Sequence, residues 1–118
     1  MFIEQAVAAC YEGTNSDGFL YRLPDDFPAL KGHFEGHPLL PAVCHLSFFA
    51  DAAGRLLARA VEVKAVRRAK FISPVLPGMR LEVSLEKRPD GWYFAQLLEP
   101  EKKKKLSQII LQFGEITQ

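Results

Sequence analysis

The chain has 118 residues, 48% of them hydrophobic and 25% charged, which suits one compact domain over residues 1–118 and excludes two separate cores. A formal net charge of +1 excludes a general electrostatic attraction to nucleic acid or to an acidic membrane. Cys10 and Cys44 have no CxxC spacing, so we expect reduced thiols and neither a disulfide nor a zinc site. The start lacks a basic leader and no apolar run is long enough to cross a bilayer, which predicts a cytoplasmic protein.

The part of the chain before residue 42 predicts strands and a loop. Residues 2–11 form a plausible first strand, and residues 12–18 are rich in turn formers. Alternating apolar residues follow at Phe19, Tyr21 and Leu23, so this region is interpreted as a hairpin. Residues 24–32 then form a loop that leads to His33.

A long helix is predicted over residues 42–59. Pro41 suits the first helical position, where its missing N–H costs nothing, and Gly54 is the main helix breaker that follows. Apolar residues cover most sides of this segment. We therefore expect a helix that is wrapped by other elements and not laid on a surface.

Four strands are predicted after the helix. Residues 61–73 alternate and then slip in phase near Val66 to Arg68, which indicates a β-bulge. Residues 80–86, 92–98 and 106–116 complete the set, separated by Pro-Gly and Pro-Asp-Gly turns and a lysine run. The order of two strands, one helix and four strands predicts an α+β fold in which a curled antiparallel sheet surrounds one buried helix.

The loop and the start of the helix together predict a reaction site. His33 offers an imidazole that can act as a base near neutral pH. The first N–H groups of the helix, at Ala42 and Val43, have no intrahelical partner and can stabilise a carbonyl oxygen that becomes anionic. Gly36 lets a substrate approach the backbone closely, or it serves simply as a turn residue. This arrangement suits chemistry on a thioester.

Two blocks of the chain resemble one known family. The loop and helix start resemble the signature of the 3-hydroxyacyl-(acyl carrier protein) dehydratases of fatty acid synthesis at these positions: His33, Phe34, Gly36, Pro38, Pro41 and Val43. Residues 69–78, Ala-Lys-Phe-Ile-Ser-Pro-Val-Leu-Pro-Gly, are similar to the strand and turn that follow the central helix of that family. The short chain looks most similar to the small dehydratases of aryl polyene pigment clusters. The resemblance implies the hotdog fold.

The resemblance also implies an activity, namely the loss of water from a (3R)-3-hydroxyacyl thioester on acyl carrier protein to give the trans-2-enoyl product. His33 would be the base, and the amides of Ala42 and Val43 would bind the thioester oxygen. No metal or redox cofactor is implied. The expected partners are the acidic carrier protein, for which Lys31, Arg67, Arg68 and Lys70 are candidate contacts, and a second copy of the chain or a related hotdog subunit.

One position departs from the family. The dehydratases carry Glu or Asp fourteen places after the catalytic histidine, and here that position is Ser47. A serine hydroxyl is too weak an acid to protonate the departing hydroxyl directly. Asp51, one turn later on the same face, is a candidate acid that acts through a water held by Ser47, or it is simply an ion-pair partner of a nearby basic residue.

Three functions therefore remain open. Besides the dehydratase, the chain suits a non-catalytic hotdog subunit that binds acyl chains or an active partner, which Ser47 favours. It also suits a hotdog thioesterase. We interpret His45, about 200° round the helix from Ser47, as structural, and His37 as an exposed loop histidine.

Overall fold

The computed structural model describes residues 3–30 and 39–116. His33 and Gly36 lie outside the described residues. Two α-helices and six β-strands occur within those ranges, together with a short 3-10 turn at Pro28–Leu30. In chain order the elements are α1 (Ile3–Ala9), β1 (Tyr11–Thr14), β2 (Phe19–Arg22), α2 (Ala42–Leu57), β3 (Val61–Phe71), β4 (Arg80–Lys87), β5 (Tyr93–Glu99) and β6 (Lys104–Glu115).

The six strands form one antiparallel sheet in the order β1-β2-β4-β5-β6-β3. The helix α2 contacts β3, β4 and β6, so the sheet curves around it. The core between them includes Phe48 and Phe49 of the helix, with Leu81, Leu97 and Leu111 from three strands, all essentially without solvent exposure. The predicted α+β architecture of one long helix inside an antiparallel sheet is confirmed.

The predicted first strand at residues 2–11 is wrong, because residues 3–9 form the helix α1. Ile3 and Val7 are buried and stand four residues apart, which places them on one helical face that packs against α2. The intervening Glu4, Gln5 and Ala6 favour helix over strand. The first strand of the sheet begins only at Tyr11.

The helix α2 begins where it was predicted to begin and ends two residues earlier than predicted. Pro41 is the N-cap with extended backbone, and the helix begins at Ala42. It ends at Leu57, two residues earlier than predicted, because Ala58 adopts a left-handed conformation with φ of 57°. Cys44, Phe48 and Ala52 are buried, whereas Val43 is 67% exposed. The sheet of a single chain therefore leaves one flank of α2 uncovered.

The bulge predicted in the strand after the helix is confirmed. The register between β3 and β6 shifts between Val63 and Ala65 and again between Val66 and Arg68. The strand β3 is the last in the sheet order, so one of its edges pairs with β6 and the other has no strand beside it within residues 3–30 and 39–116. The open edge of β3 runs beside the uncovered flank of α2.

A buried carboxylate on β4 connects the turn between β1 and β2 with the turn between β5 and β6. Glu82 of β4 is 1% exposed and accepts hydrogen bonds from Lys103 Nζ at 2.8 Å and Asn15 Nδ2 at 2.9 Å. The same ammonium of Lys103 contacts Asp17 at 2.8 Å. Lys103 therefore links the β1–β2 turn to the β5–β6 turn, while its neighbour Lys102 is exposed.

Candidate active site at the start of the long helix

The first two backbone amides of α2 donate to no backbone acceptor among the described residues. The first hydrogen bond of this end runs from the Cys44 N–H to the Pro41 carbonyl at 3.0 Å. The N–H groups of Ala42 and Val43 precede it, so they have no partner within the helix. Both residues are exposed, and Pro41 supplies no side-chain cap. The structure therefore presents the two amides, with the positive end of the helix dipole, to the solvent side of the fold.

A groove of about 520 Å³ runs along the uncovered flank of α2, and we call it the α2 groove. One wall is formed by one face of the helix, at Val43, Leu46, Ser47, Ala50, Asp51 and Gly54. Opposite it lie apolar side chains at the start of β3 and after β6, namely Val61, Val63 and Ile116. Val43 and Gly54 are eleven residues apart, so the helical wall extends about 16 Å at 1.5 Å per residue. This groove has room for an extended acyl chain or for side chains of another protein subunit.

Ser47 and Asp51 both line the α2 groove, as their spacing on one helical face predicts. Ser47 is partly exposed there. The position that carries an acid in the dehydratases therefore faces an open cavity, which is where a group acting on a substrate has to lie. The chain itself places a hydroxyl at that position and a carboxylate one turn further along.

The carboxylate of Asp51 is held by two donors. Its Oδ2 accepts a hydrogen bond from the Tyr21 hydroxyl at 2.6 Å and another from Arg55 Nε at 2.8 Å. The side chain is 17% exposed, so this pair is much less open to solvent than an ordinary surface ion pair. The guanidinium of Arg55 in turn lies 3.7 Å from the ring centre of Tyr11. Asp51 therefore forms an ion pair with Arg55, in agreement with its interpretation as the partner of a nearby basic residue.

This arrangement bears on proton transfer by Asp51. Burial raises the pKa of Tyr21, and the Asp51 carboxylate beside it raises that pKa further, so Tyr21 remains a donor. Oδ2 of Asp51 therefore accepts two hydrogen bonds, one from each neighbour. Oδ1 makes no hydrogen bond to the described residues and is the atom of Asp51 that remains for a water in the groove.

His45 is placed on the opposite side of the helix from Ser47. It is 3% exposed and shares a hydrogen bond of 2.7 Å between its Nδ1 and the Ser107 hydroxyl of β6. The ring of Phe71 packs edge-on against it at 5.0 Å. Burial lowers the pKa of His45 to about 4, so the imidazole is neutral at pH 7. It also borders a smaller cavity of about 300 Å³ that includes Ala42 and Val75.

Tyr21 is the site residue that sequence reasoning did not identify. In the sequence it is one of the alternating apolar residues of a predicted hairpin, and its ring is indeed buried in the core. Its hydroxyl meets Asp51 from a position thirty residues earlier in the chain. A tyrosine in place of another apolar residue on a buried strand face was the available signal, because a buried phenol needs a partner.

The described residues contain no group of three or more His, Cys, Asp and Glu side chains that could hold a metal ion. Within the same ranges, neither helix has the length and apolar character needed to cross a membrane.

Comparison with known proteins identifies the class to which this fold belongs. The dehydratase heterocomplex ApeI:P from Xenorhabdus doucetiae matches with a TM-score of 0.68 at 21% identity, covering 87% of this chain and 92% of that one. An uncharacterized protein from Erwinia carotovora matches with a TM-score of 0.67 at 24% identity, covering 92% of both chains. The chain has the hotdog fold, as the resemblance implied.

The family follows from the sequence match. Residues 12–109 match the ApeI-like family, described as ApeI dehydratase, and the chain belongs to this family. Among curated proteins, the 3-hydroxyacyl-[acyl-carrier-protein] dehydratase FabZ of Haemophilus influenzae is 36% identical over 67 residues, which cover 50% of this chain and 45% of that protein. The FabZ of Mannheimia succiniciproducens is 39% identical over the same length. The match thus spans about half the length of these curated relatives.

Proposed function

We propose that this chain removes water from a (3R)-3-hydroxyacyl thioester carried by acyl carrier protein, giving the trans-2-enoyl thioester, in fatty acid or polyene-type biosynthesis. The main support is that Val43, at the start of α2, lines one end of a groove with room for an acyl chain, in a member of the ApeI-like family. The amides of Ala42 and Val43 receive the thioester oxygen as negative charge develops on it.

His33 is the proposed base. The imidazole takes a proton from C2 of the substrate, and the electron pair left behind becomes the C2–C3 double bond as the hydroxyl leaves C3. Stabilising the thioester oxygen at the helix end makes the C2 proton more acidic, so the two groups act on the same step. Gly36, in the same loop, allows the thioester to approach the backbone.

The departing hydroxyl needs a proton to leave as water. We propose that Ser47 binds a water in the α2 groove and that Asp51 orients it through Oδ1. Ser47 and Asp51 line the same cavity, which supports this assignment. Because Oδ2 of Asp51 already accepts two hydrogen bonds, we assign Asp51 the role of positioning the water. We therefore assign the proton to the His33 imidazolium formed in the first step, delivered through this water.

The proposed site is completed by a second subunit, either another copy of the chain or a related hotdog subunit. The uncovered flank of α2 and the open edge of β3 adjoin, and both expose apolar side chains. A monomer would leave the α2 groove open to bulk water, which weakens the electrostatic stabilisation of an oxyanion. Pairing of two chains along this side would close the groove.

The assay that tests the proposal supplies purified chain with a 3-hydroxyacyl carrier protein, or a short thioester mimic, and follows the enoyl product. We expect product formation that falls by about a hundredfold or more in His33→Ala, because a general base is lost. His37→Ala, in the same loop, is the matched control and should retain activity. Free thiol in place of enoyl product would identify a thioesterase, and binding without turnover would contradict the proposal.

A second function is favoured by one observation. Ser47 replaces the acid, and Asp51 is occupied by Tyr21 and Arg55. In this alternative the chain is the subunit of a heteromeric dehydratase whose partner supplies the carboxylate. The ApeI:P protein is a dehydratase heterocomplex, which gives the alternative a precedent of the same fold. The chain alone would then yield no enoyl product in the assay above.

A further inference from the structure

Asp51 pairs with Arg55 through one of its two oxygens. Arg55 Nε donates to Oδ2 at 2.8 Å, and no hydrogen bond joins the guanidinium to Oδ1. Arginine and a carboxylate frequently pair through two parallel hydrogen bonds that use both oxygens. An ion pair that only stabilised the helix would gain from the second bond. The observed geometry leaves Oδ1 without a partner among the described residues, on a side chain that lines the α2 groove.

The guanidinium of Arg55 is directed away from Oδ1 by the first elements of the chain. Its Nη2 makes a long hydrogen bond of 3.5 Å to the carbonyl of Ala8 in α1. Its Cζ lies 3.7 Å from the ring centre of Tyr11, the first residue of β1, as in a cation–π contact. Neither Ala8 nor Tyr11 lines the α2 groove. These two residues therefore act on the groove through the orientation of Arg55.

The second donor to Asp51 comes from the core. The Tyr21 hydroxyl donates to Oδ2 at 2.6 Å, and the Tyr21 side chain has no solvent exposure. The ring packs edge-on against Phe48 at 5.2 Å and against Tyr11 at 5.5 Å, so close packing sets the place of the hydroxyl. Phenylalanine would fill the same space without a polar group that needs a partner. Oδ2 is therefore held from two directions, by Tyr21 in the core and by Arg55 nearer the surface.

We infer that Tyr21 and Arg55 are positioning residues for the departure of the hydroxyl group, and that they act through Asp51. The inference rests on the proposed function, in which Ser47 and Asp51 hold a water in the α2 groove. When the C3–O bond breaks, the departing hydroxide takes a proton from that water, and the His33 imidazolium formed in the first step returns a proton to it. A carboxylate that changes rotamer would hold the water correctly for part of the time, and the two bonds to Oδ2 restrict that movement.

The inference assigns the two residues to one step of the reaction. In the proposed function His33 and the amides of α2 carry out removal of the C2 proton, whereas Asp51 takes part only when the hydroxyl leaves. Loss of the Tyr21 hydroxyl should therefore slow formation of the enoyl product and spare exchange of the C2 proton with solvent. A variant that was only less well folded would lose both activities in parallel.

The experiment is a double-mutant cycle of Tyr21→Phe and Asp51→Ala. Enoyl formation from a short 3-hydroxyacyl thioester mimic gives kcat and KM, and deuterium at C2 of substrate recovered from heavy water gives the rate of proton removal. We expect Tyr21→Phe to lower kcat by about tenfold, with KM and the C2 exchange rate within about twofold of the wild type. In the Asp51→Ala background the Tyr21→Phe substitution should cause no further loss of kcat, because the residue through which it acts is gone.

The contribution of Arg55 is tested through the ring on which it stacks. Tyr11→Ala removes that ring and frees the guanidinium to bind both oxygens of Asp51, whereas Tyr11→Phe keeps the ring. We expect kcat for the enoyl product to fall by about threefold or more in Tyr11→Ala and to stay at the wild-type value in Tyr11→Phe. Equal kcat values in these two variants would contradict the role of Arg55.

Three results of the cycle would overturn the inference: an undiminished kcat in Tyr21→Phe, equal losses of enoyl formation and C2 exchange in that variant, or additive losses of kcat from Tyr21→Phe and Asp51→Ala. Each of these results requires an active wild type. The absence of enoyl product from the wild type would instead contradict the proposed function, and the inference would fall with it. The two failures are therefore distinguishable.

Discussion

His45 lies close to the candidate site in the sequence and serves the fold. Its imidazole lies on the side of α2 away from the groove, buried against Phe71 and bonded to Ser107. Protonation would place a charge in this apolar setting, which burial opposes. The spacing along the helix predicted that His45 faces away from Ser47, and the geometry agrees. Its partner Ser107 was not predictable, because the two residues are 62 positions apart in the chain.

The burial of His45 predicts a specific dependence of stability on pH. The folded-state pKa of about 4 is below the usual 6.5, so the unfolded chain binds more protons between these values. The free energy of unfolding should therefore fall as the pH drops from about 6.5 toward 4, with a slope from this residue of up to about 1.4 kcal/mol per pH unit.

The measurement is urea unfolding of the wild type and of His45→Gln across this pH range. Glutamine keeps a polar partner for Ser107 and does not titrate. Carboxylates contribute to both proteins, so the difference between the two slopes isolates the histidine. Parallel slopes would show that His45 is not held neutral in the fold.

At the level of elements, one hydrogen bond connects the sheet to the helix beside the groove. Tyr21 lies in β2 and Asp51 in α2, and their bond of 2.6 Å joins a core strand to the wall of the candidate site. Arg55, one turn further along the helix, holds the same oxygen of Asp51. The two hydrogen bonds to Oδ2 restrict the rotation of the Asp51 side chain, which also lines the groove.

We predict that Tyr21→Phe lowers the free energy of unfolding by about 1.5–3 kcal/mol, because a hydrogen bond to a charged group is lost from a buried setting. Tyr11→Phe is the matched control. Its ring beneath Arg55 is kept, and its hydroxyl has no hydrogen bond to the described residues, so its effect should stay within about 0.5 kcal/mol. Both values are measured by urea unfolding at pH 7. Equal losses in the two variants would mean that the Tyr21 hydroxyl contributes nothing specific.

The elements differ in how far the sequence specified them. The helix α2 and the strands after it were predictable, since long periodic segments bounded by Pro and Gly leave few alternatives. The short helix α1 was not, because seven residues with two apolar positions fit a strand nearly as well. The packing of this segment against α2 favours the helix over a strand, and a tertiary contact of this kind cannot be predicted from the local sequence. An ion pair of Asp51 with a nearby basic residue was one of the interpretations of the sequence, and Arg55 is that residue. The contact with the Tyr21 hydroxyl could be found only in the fold.

For the molecule as a whole, the described surface is asymmetric. One side has the open edge of β3, the uncovered flank of α2 and the α2 groove, and Val43 at the start of α2 lines one end of that groove. The hotdog fold was predictable because two motif blocks resembled one family, and composition or periodicity alone reached only the α+β class. The sequence identified Arg67, Arg68 and Lys70 as candidate contacts for an acidic partner, but it did not show that their strand lies at an edge of the sheet.

The central claim is that His33 removes the C2 proton while the start of α2 holds the thioester oxygen. The most direct measurement incubates the chain with a 3-hydroxyacyl thioester in heavy water and follows deuterium at C2 of the recovered substrate by mass spectrometry. Reversible proton removal at C2 introduces the label even if departure of the hydroxyl is slow. We predict incorporation by the wild type and a loss of about a hundredfold or more in His33→Ala. Two results would contradict this assignment. One is deuterium incorporation in His33→Ala that equals that of the wild type, and the other is no deuterium incorporation by the wild type, alone or with a related hotdog subunit added.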